Sequence, residues 1–215
     1  MIKEAIALLV QGESLSQEHS ASVMNEIMDN EATEAQIGSF VTALRMKGET
    51  VSEITGMAQT MREKSLNVSI SLKDKKLVDT AGTGGDGQNT MNVSTAAAIV
   101  ASAAGAKVAK HGNRAVSSMC GSADILEAVG VKVDLSPDGV TRCIDEVGIG
   151  FMFAPIFHPA MRYAATPRRD IGIRTVFNIL GPLTNPANAD AHVLGVADSK
   201  FGHLMAQSLA FFVTR

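Results

Sequence analysis

Along the first third of the chain, apolar residues fall at three- and four-residue spacing, with no strand-like alternation among them. Ile2, Ala5, Ile6, Leu8 and Leu9 make one stripe that stops near Gly12. Val23, Ile27 and Met28 make a second that starts near Ser16, so both stretches are predicted as helices. Thr33-Glu34-Ala35-Gln36 places a hydroxyl and an amide where they cap a helix reciprocally. It opens a third helix through Ile37, Phe40, Val41 and Leu44, stopped by Gly48. Thr50-Val51-Ser52-Glu53 repeats the device for a fourth, through Ile54, Met57 and Met61 to Lys64. Residues 1–65 therefore read as a small all-helical domain. Met24, Met28, Met46, Met57 and Met61 serve its packing, with a dimer interface as the alternative.

Residues 66–76 read as a polar linker, and from Leu77 the pattern changes. Leu77 and Val78 end a short buried strand, and Ala96 to Ala104 is an alanine-rich helix that stops at Gly105. Ala106 to Ala109 is a second strand. Ala123 to Val129 is a helix ended by Gly130, Ser136-Pro137 starts another, and Ile149 to Phe153 returns as a strand. This alternation predicts an α/β domain over 77–215 with a mainly parallel sheet, whose ligands gather at the carboxyl ends of the strands. Part of 155–190, dense in Arg, Pro and Gly, is expected to pack back on the helical domain, and a last helix begins near Asp198.

The chemistry concentrates in two segments. The first is Asp79-Thr80-Ala81-Gly82-Thr83-Gly84-Gly85-Asp86-Gly87-Gln88-Asn89-Thr90-Met91-Asn92-Val93-Ser94-Thr95. Its four glycines let the main chain approach a ligand, and Ser94 or Thr95 is the expected helix N-cap. Unpaired amides at a helix start, with the helix dipole, make a phosphate cradle. No Gly-Lys-Ser/Thr follows the loop, and Gly82-x-Gly84-Gly85-x-Gly87 misses the dinucleotide spacing, so neither of those glycine motifs is present. Asp86 would repel a diphosphate unless it faced ribose hydroxyls or a bound cation, which suggests a sugar phosphate carrying both. A loop that merely turns the chain is the bland alternative. The polar set Thr83, Asp86, Thr90, Asn92, Ser94 and Thr95 counts against it.

The second segment, Lys110-His111-Gly112-Asn113-Arg114, follows a predicted strand and reads as an exposed turn. Lys110 is its candidate phosphate contact, with Ser117, Ser118 and Ser122 offering hydroxyls at the next helix entry. His111 is either a general acid or base or a residue that fixes the loop, and Arg114 is functional or structural. Composition narrows the partners. With 46% hydrophobic residues and a net charge of −3, the chain can bury a core but offers no electrostatic case for nucleic acid or an anionic membrane. Cys120 and Cys143 read as small packed side chains, and the absence of an apolar signal segment at the start leads to an expected cytoplasmic setting.

Taken together, Asp79-x-x-Gly82-Thr83-Gly84-Gly85-Asp86-Gly87, Asn92-Val93-Ser94-Thr95, Lys110 to Arg114 with Ser117-Ser118, His158-Pro159-Ala160-Met161 and Gly172 to Pro186 resemble the anthranilate phosphoribosyltransferases. Single pieces are shared more loosely with pyrimidine nucleoside phosphorylases. The resemblance runs over nearly the whole chain. It implies a helical domain joined to an α/β domain, a homodimer through the helical part, and magnesium-dependent transfer of phosphoribose from phosphoribosyl pyrophosphate to anthranilate in tryptophan biosynthesis. By matching positions, Gly82, Thr83, Gly84, Gly85, Asp86, Thr90, Asn92, Val93, Ser94, Thr95, Lys110, Ser117, Ser118 and Ser122 would hold phosphoribosyl pyrophosphate. Ser94 would also touch magnesium. Gly82, His111, Asn113 and Arg168 would line the anthranilate site, with Lys110 and His111 closest to the chemistry.

Members of that family run on past the position of Arg215 and carry an adjacent Asp-Glu pair there for magnesium, so the α/β domain is expected to be truncated at its C-terminus and the chain alone to lack those acids. Three readings follow: this enzyme, a nucleoside phosphorylase-like enzyme, or a non-catalytic phosphate-binding or assembly domain.

Overall fold

The computed structural model describes residues 1–70, 76–85, 87, 91–115 and 119–212. Its elements in chain order are α1 (Ile2–Val10), α2 (Gln17–Met28), α3 (Glu34–Lys47), α4 (Val51–Glu63), β1 (Leu77–Gly82), α5 (Val93–Ala103), β2 (Lys107–Gly112), α6 (Ser122–Ala128), α7 (Pro137–Glu146), β3 (Ile149–Phe153), α8 (Ala154–Phe157), α9 (Ala165–Ile171), α10 (Phe177–Leu180), β4 (Ala191–Gly195) and α11 (Gly202–Ala210). They fall into two compact units. One combines Met1–Ser65, His158–Thr184 and His203–Phe211; the other combines Leu66–Phe157 and Asn185–Gly202 with Phe212. No helix among the described residues is long and apolar enough to cross a membrane.

In the helical unit both capping boxes form. Gln36 N donates to Thr33 Oγ1 (3.3 Å) and Thr33 N to Gln36 Oε1 (2.8 Å). Thr50 and Glu53 repeat the exchange at 3.3 and 2.8 Å, so each helix start satisfies two otherwise orphaned donors. The fully buried Glu53 carboxylate also accepts from Leu15 N (2.9 Å) and Lys47 Nζ (3.0 Å), tying the segment before α2 to the start of α4. Helix α2 packs on α4 and α1 on α3, and α9 lies against α3. Met24, Met28, Met57 and Met61 are buried in this unit, whereas Met46 is 84% exposed, so core packing accounts for four of those five methionines.

The other unit is an α/β layer whose sheet has the order β3-β2-β1-β4 with every pairing parallel. Strand side chains alternate between the faces. Leu77, Ala109 and Met152 meet Val140 and Ile144 of α7 on one face, and Phe151 meets Ala123 and Leu126 of α6 on the other.

Several boundaries differ from those the sequence predicts. Strands β1 and β2 run on to Gly82 and Gly112, because their outer sides stay paired with Gly195 of β4 and Phe153 of β3. Helix α5 begins two to three residues early, with Asn92 at the cap, its carbonyl accepting from Thr95 N and Ala96 N (both 3.0 Å). Residues 66–70 are not a free linker: Leu66 N bonds to Phe157 O (2.9 Å), Val68 N bonds to Pro186 O (3.1 Å), and Val68 is buried in the sheet core. The rest of that expected linker, 71–75, lies outside the described residues. Strand β4 was not predicted, since Val193 and Leu194 are too short an apolar run to signal a strand alone.

Candidate functional site

The glycine stretch divides by function at Thr83. A Cβ on Gly82 would lie 3.3 Å from Gly195 O, so that glycine allows the close contact between β1 and β4, and it remains exposed. Thr83 is committed to the same neighbour, its amide donating to Gly195 O (2.9 Å) and its Oγ1 accepting from Ala197 N (3.1 Å). Beyond it the backbone turns left-handed at Gly84 (φ 62°), Gly85 (φ 72°) and Gly87 (φ 68°), a conformation that side chains disfavour. Among the described residues the amides of these three glycines have no hydrogen-bond partner. Three main-chain donors are thus available at the carboxyl end of β1. The expected contacts Asp86, Thr90, Ser117 and Ser118 lie outside the described residues.

Lys110 and His111 sit within β2 rather than on an exposed turn, and as strand neighbours they point to opposite faces. Lys110, only 2% exposed, donates through Nζ to Thr80 O (2.5 Å) and Ser94 Oγ (3.2 Å). Thr80 Oγ1 donates in turn to Ser94 O (2.7 Å), and Thr95 Oγ1 to Ser122 Oγ (3.0 Å). Asn92 Nδ2 bonds to Cys120 O (2.9 Å). Lys110, Asn92, Ser94, Thr95 and Ser122 are therefore gathered around the start of α5. Val93 stands with them, but its side chain is 62% exposed, so its main chain is what it can offer an anion. Burial pushes the Lys110 ammonium down to about 8, with the Asp79 charge opposing the shift. It remains mostly protonated at neutral pH, in surroundings dry enough to strengthen its field.

His111 is buried on the other face, its N–H donating to Asp79 Oδ1 (3.2 Å). Asn113 is exposed, and its Oδ1 accepts from Arg114 N (2.8 Å). Arg114 is structural: it forks onto Glu127 (2.5 and 2.8 Å), reaches Asp124 Oδ1 (3.1 Å) and lies over the Phe153 ring at 5.5 Å. Asp124 Oδ2 accepts from both Ala115 N (2.9 Å) and Gly121 N (2.7 Å), drawing the two chain segments together. A Cβ on Gly121 would fall 2.3 Å from Ala115 N, which only glycine avoids. In the helical unit, Arg168 of α9 lies 5.3 Å over the Phe177 ring and has no carboxylate partner among the described residues. Burial lowers its affinity for the proton.

The buried polar group behind these residues was missed from sequence. Asp79, fully buried, accepts from Asn185 Nδ2 (2.8 Å) as well as from His111 N, and His192 Nδ1 of β4 stands 3.7 Å away. Burial pushes the Asp79 carboxyl up, opposed by the Asn185 amide, His192, Lys110 and the His111 N–H. An acid set two residues into the apolar start of a strand was the available signal.

The described residues hold no group of three or more His, Cys, Asp or Glu that suits a metal ion. Ser94 Oγ, the expected magnesium contact, is a single hydroxyl already facing the Lys110 ammonium, which repels a dication. The described residues therefore do not by themselves fit magnesium.

A parallel sheet carrying left-handed glycine amides, a buried lysine and hydroxyls grouped at a helix start defines an α/β protein whose donors converge in the way an anionic group needs. Residues 3–65 match the family described as glycosyl transferase family, helical bundle domain, and residues 74–215 match glycosyl transferase family, a/b domain. The chain belongs to this glycosyl transferase family. An anthranilate phosphoribosyltransferase of Dehalococcoides mccartyi is 60% identical over 209 residues, covering 97% of this chain and 60% of that protein. One from Desulforamulus reducens is 58% identical over 215 residues, 100% of this chain and 62% of that protein. The crystal structure of the Thermus thermophilus anthranilate phosphoribosyltransferase superposes with a TM-score of 0.91 at 47% identity, over 97% of this chain and 63% of that one. The Saccharomyces cerevisiae enzyme in complex with PRPP and Mg gives 0.89 at 31% identity, over 98% and 62%. The chain thus spans about three fifths of the length of these relatives.

Proposed function

We propose that this chain carries the phosphoribosyl pyrophosphate-binding part of an anthranilate phosphoribosyltransferase, which transfers phosphoribose to the amine of anthranilate and releases pyrophosphate in tryptophan biosynthesis. The observation that carries the reading is the set of three left-handed glycine amides without partners among the described residues, Gly84, Gly85 and Gly87, at the carboxyl end of β1. Loss of pyrophosphate leaves positive charge on the ribose C1 and gathers negative charge on phosphate oxygens. Fixed N–H donors and the Lys110 ammonium stabilise that leaving group without reorganising. Anthranilate's aromatic amine is nucleophilic when neutral, so positioning matters more than a strong base. His111, held through its main chain at Asp79, is assigned to positioning, with Asn113 beside it in sequence. Arg168, lacking a carboxylate partner among the described residues, is assigned to the anthranilate carboxylate. A homodimer through the helical unit belongs to the same proposal, with Val10 and Met46 among its exposed apolar positions.

The test follows phosphoribosyl-anthranilate formation by fluorescence, using the chain alone and the chain with the carboxyl-terminal portion of the Dehalococcoides mccartyi relative. Product in either mixture supports the reading. No product in both, with phosphoribosyl pyrophosphate still retained by calorimetry, would favour a non-catalytic binding domain instead.

A further inference from the structure

The ladder between β1 and β2 is recorded at Leu77–Lys107 and Val78–Val108 and does not continue to a Thr80–Lys110 pair. In a continuous parallel ladder a Thr80–Lys110 pair, two steps on in the same register, would join Thr80 N to Ala109 O and His111 N to Thr80 O. Three of those four groups are taken by side chains. His111 N donates to Asp79 Oδ1 (3.2 Å), Ala109 O accepts from Asn185 Nδ2 (2.9 Å), and Thr80 O accepts from Lys110 Nζ (2.5 Å). Asn185 Nδ2 also donates to Asp79 Oδ2 (2.8 Å), and Asn185 Oδ1 accepts from Ala187 N (2.8 Å), which locks the amide's orientation. The strands β1 and β4, by contrast, stay paired through Gly82–Gly195, and β2 and β3 through Gly112–Phe153. The break in pairing is confined to the two strands whose ends carry the glycine amides and Lys110.

We propose that Asp79 and Asn185 are positioning residues that replace the β1–β2 ladder at its carboxyl end, and so present Lys110 to the bound anion. With its backbone bond to His111 diverted to Asp79, the Thr80 carbonyl is left to hold the Lys110 ammonium against Ser94, on the face where α5 begins. Asp79 and Asn185 need not touch the ligand. The inference rests on the phosphate-binding reading above.

Calorimetry with inorganic pyrophosphate tests it on the full chain, as wild type, Asp79→Asn, Lys110→Met and the double variant. Asp79→Asn keeps the shape and an acceptor oxygen but weakens the bond to His111 N, so affinity should drop about tenfold. The His111 amide resonance should move upfield as its acceptor loses charge. If Asp79 acts through Lys110, the double variant binds little worse than Lys110→Met alone; independent structural roles would multiply the two losses. Asn185→Ala, which leaves both charges in place, should show the same non-additive loss. If neither wild-type position tolerates change, amide exchange in the wild type decides: slow exchange at His111 before pyrophosphate is added supports the replaced ladder, and fast exchange overturns it. A wild type that binds no pyrophosphate removes the functional reading and this one with it. Wild-type binding with Asp79→Asn unimpaired, or with multiplied losses, overturns this inference alone.

Discussion

Replacing Lys110 by methionine removes the buried cation of the site while keeping a flexible apolar stem. A hydrogen bond from a charged group to an anion contributes about 1.5–3 kcal/mol, so pyrophosphate should bind Lys110→Met roughly tenfold to a hundredfold more weakly at pH 7. The difference should depend on pH. Burial brings the lysine from 10.5 down to about 8. Above that value the wild type loses the charge the variant never had, and the ratio of the two affinities should fall toward one by pH 10. Taking the ratio cancels the ionisation of pyrophosphate itself. Stability has its own sign: between about 8 and 10.5 the unfolded chain holds more protons at this residue than the folded one, so folding becomes more favourable as pH rises through that window. Below it, the buried ammonium is a cost that methionine removes, offset by the lost bonds to Thr80 and Ser94. The variant should therefore unfold within about 2 kcal/mol of wild type. Calorimetry at pH 7 and pH 10, with urea unfolding as the control, checks both statements. Equal pyrophosphate affinity of the two proteins at pH 7 would refute the reasoning.

His158 in the helical unit, buried and bonded to Thr184 O, is lowered by burial to about 4, so as pH falls from 6.5 toward 4 the unfolded chain protonates first and stability is lost. Urea unfolding should show wild type losing about 2 kcal/mol more than His158→Gln between pH 7 and pH 4.5. Gly121→Ala forces a Cβ to 2.3 Å from Ala115 N and should cost about 1–3 kcal/mol, read as a lowered denaturation midpoint; an unchanged midpoint would contradict the close approach. Arg168→Ala should chiefly raise the anthranilate concentration needed for half-maximal product formation, and unchanged saturation would remove Arg168 from the carboxylate role.

Local signals were legible wherever they are short-range. Thr33 and Gln36, Thr50 and Glu53, and Ser136 with Pro137 all start helices where their spacing places them. Strand ends were not, because neighbours elsewhere in the chain set them. Residues 79–82 and 110–112, mostly glycine and polar, look like loops in isolation and are strands because β4 and β3 pair with them. The same non-locality hid β4, whose few apolar residues become a strand only beside β1. Candidate site residues were legible as a set of types, but not their division: Lys110 and Ser94 share one face, His111 another, and Thr83 and Gly82 turn to Gly195. Asn185 lies more than a hundred residues from Asp79, and no spacing rule connects an amide to an acid over that distance.

The central claim is that main-chain amides at the end of β1 grip a pyrophosphoryl group. Assigned amide spectra recorded while inorganic pyrophosphate is added test it most directly. The account predicts that the Gly84, Gly85 and Gly87 signals move together and saturate at one concentration, and that in Lys110→Met they move together at a correspondingly higher one. Saturable pyrophosphate binding that leaves all three glycine signals in place would contradict it.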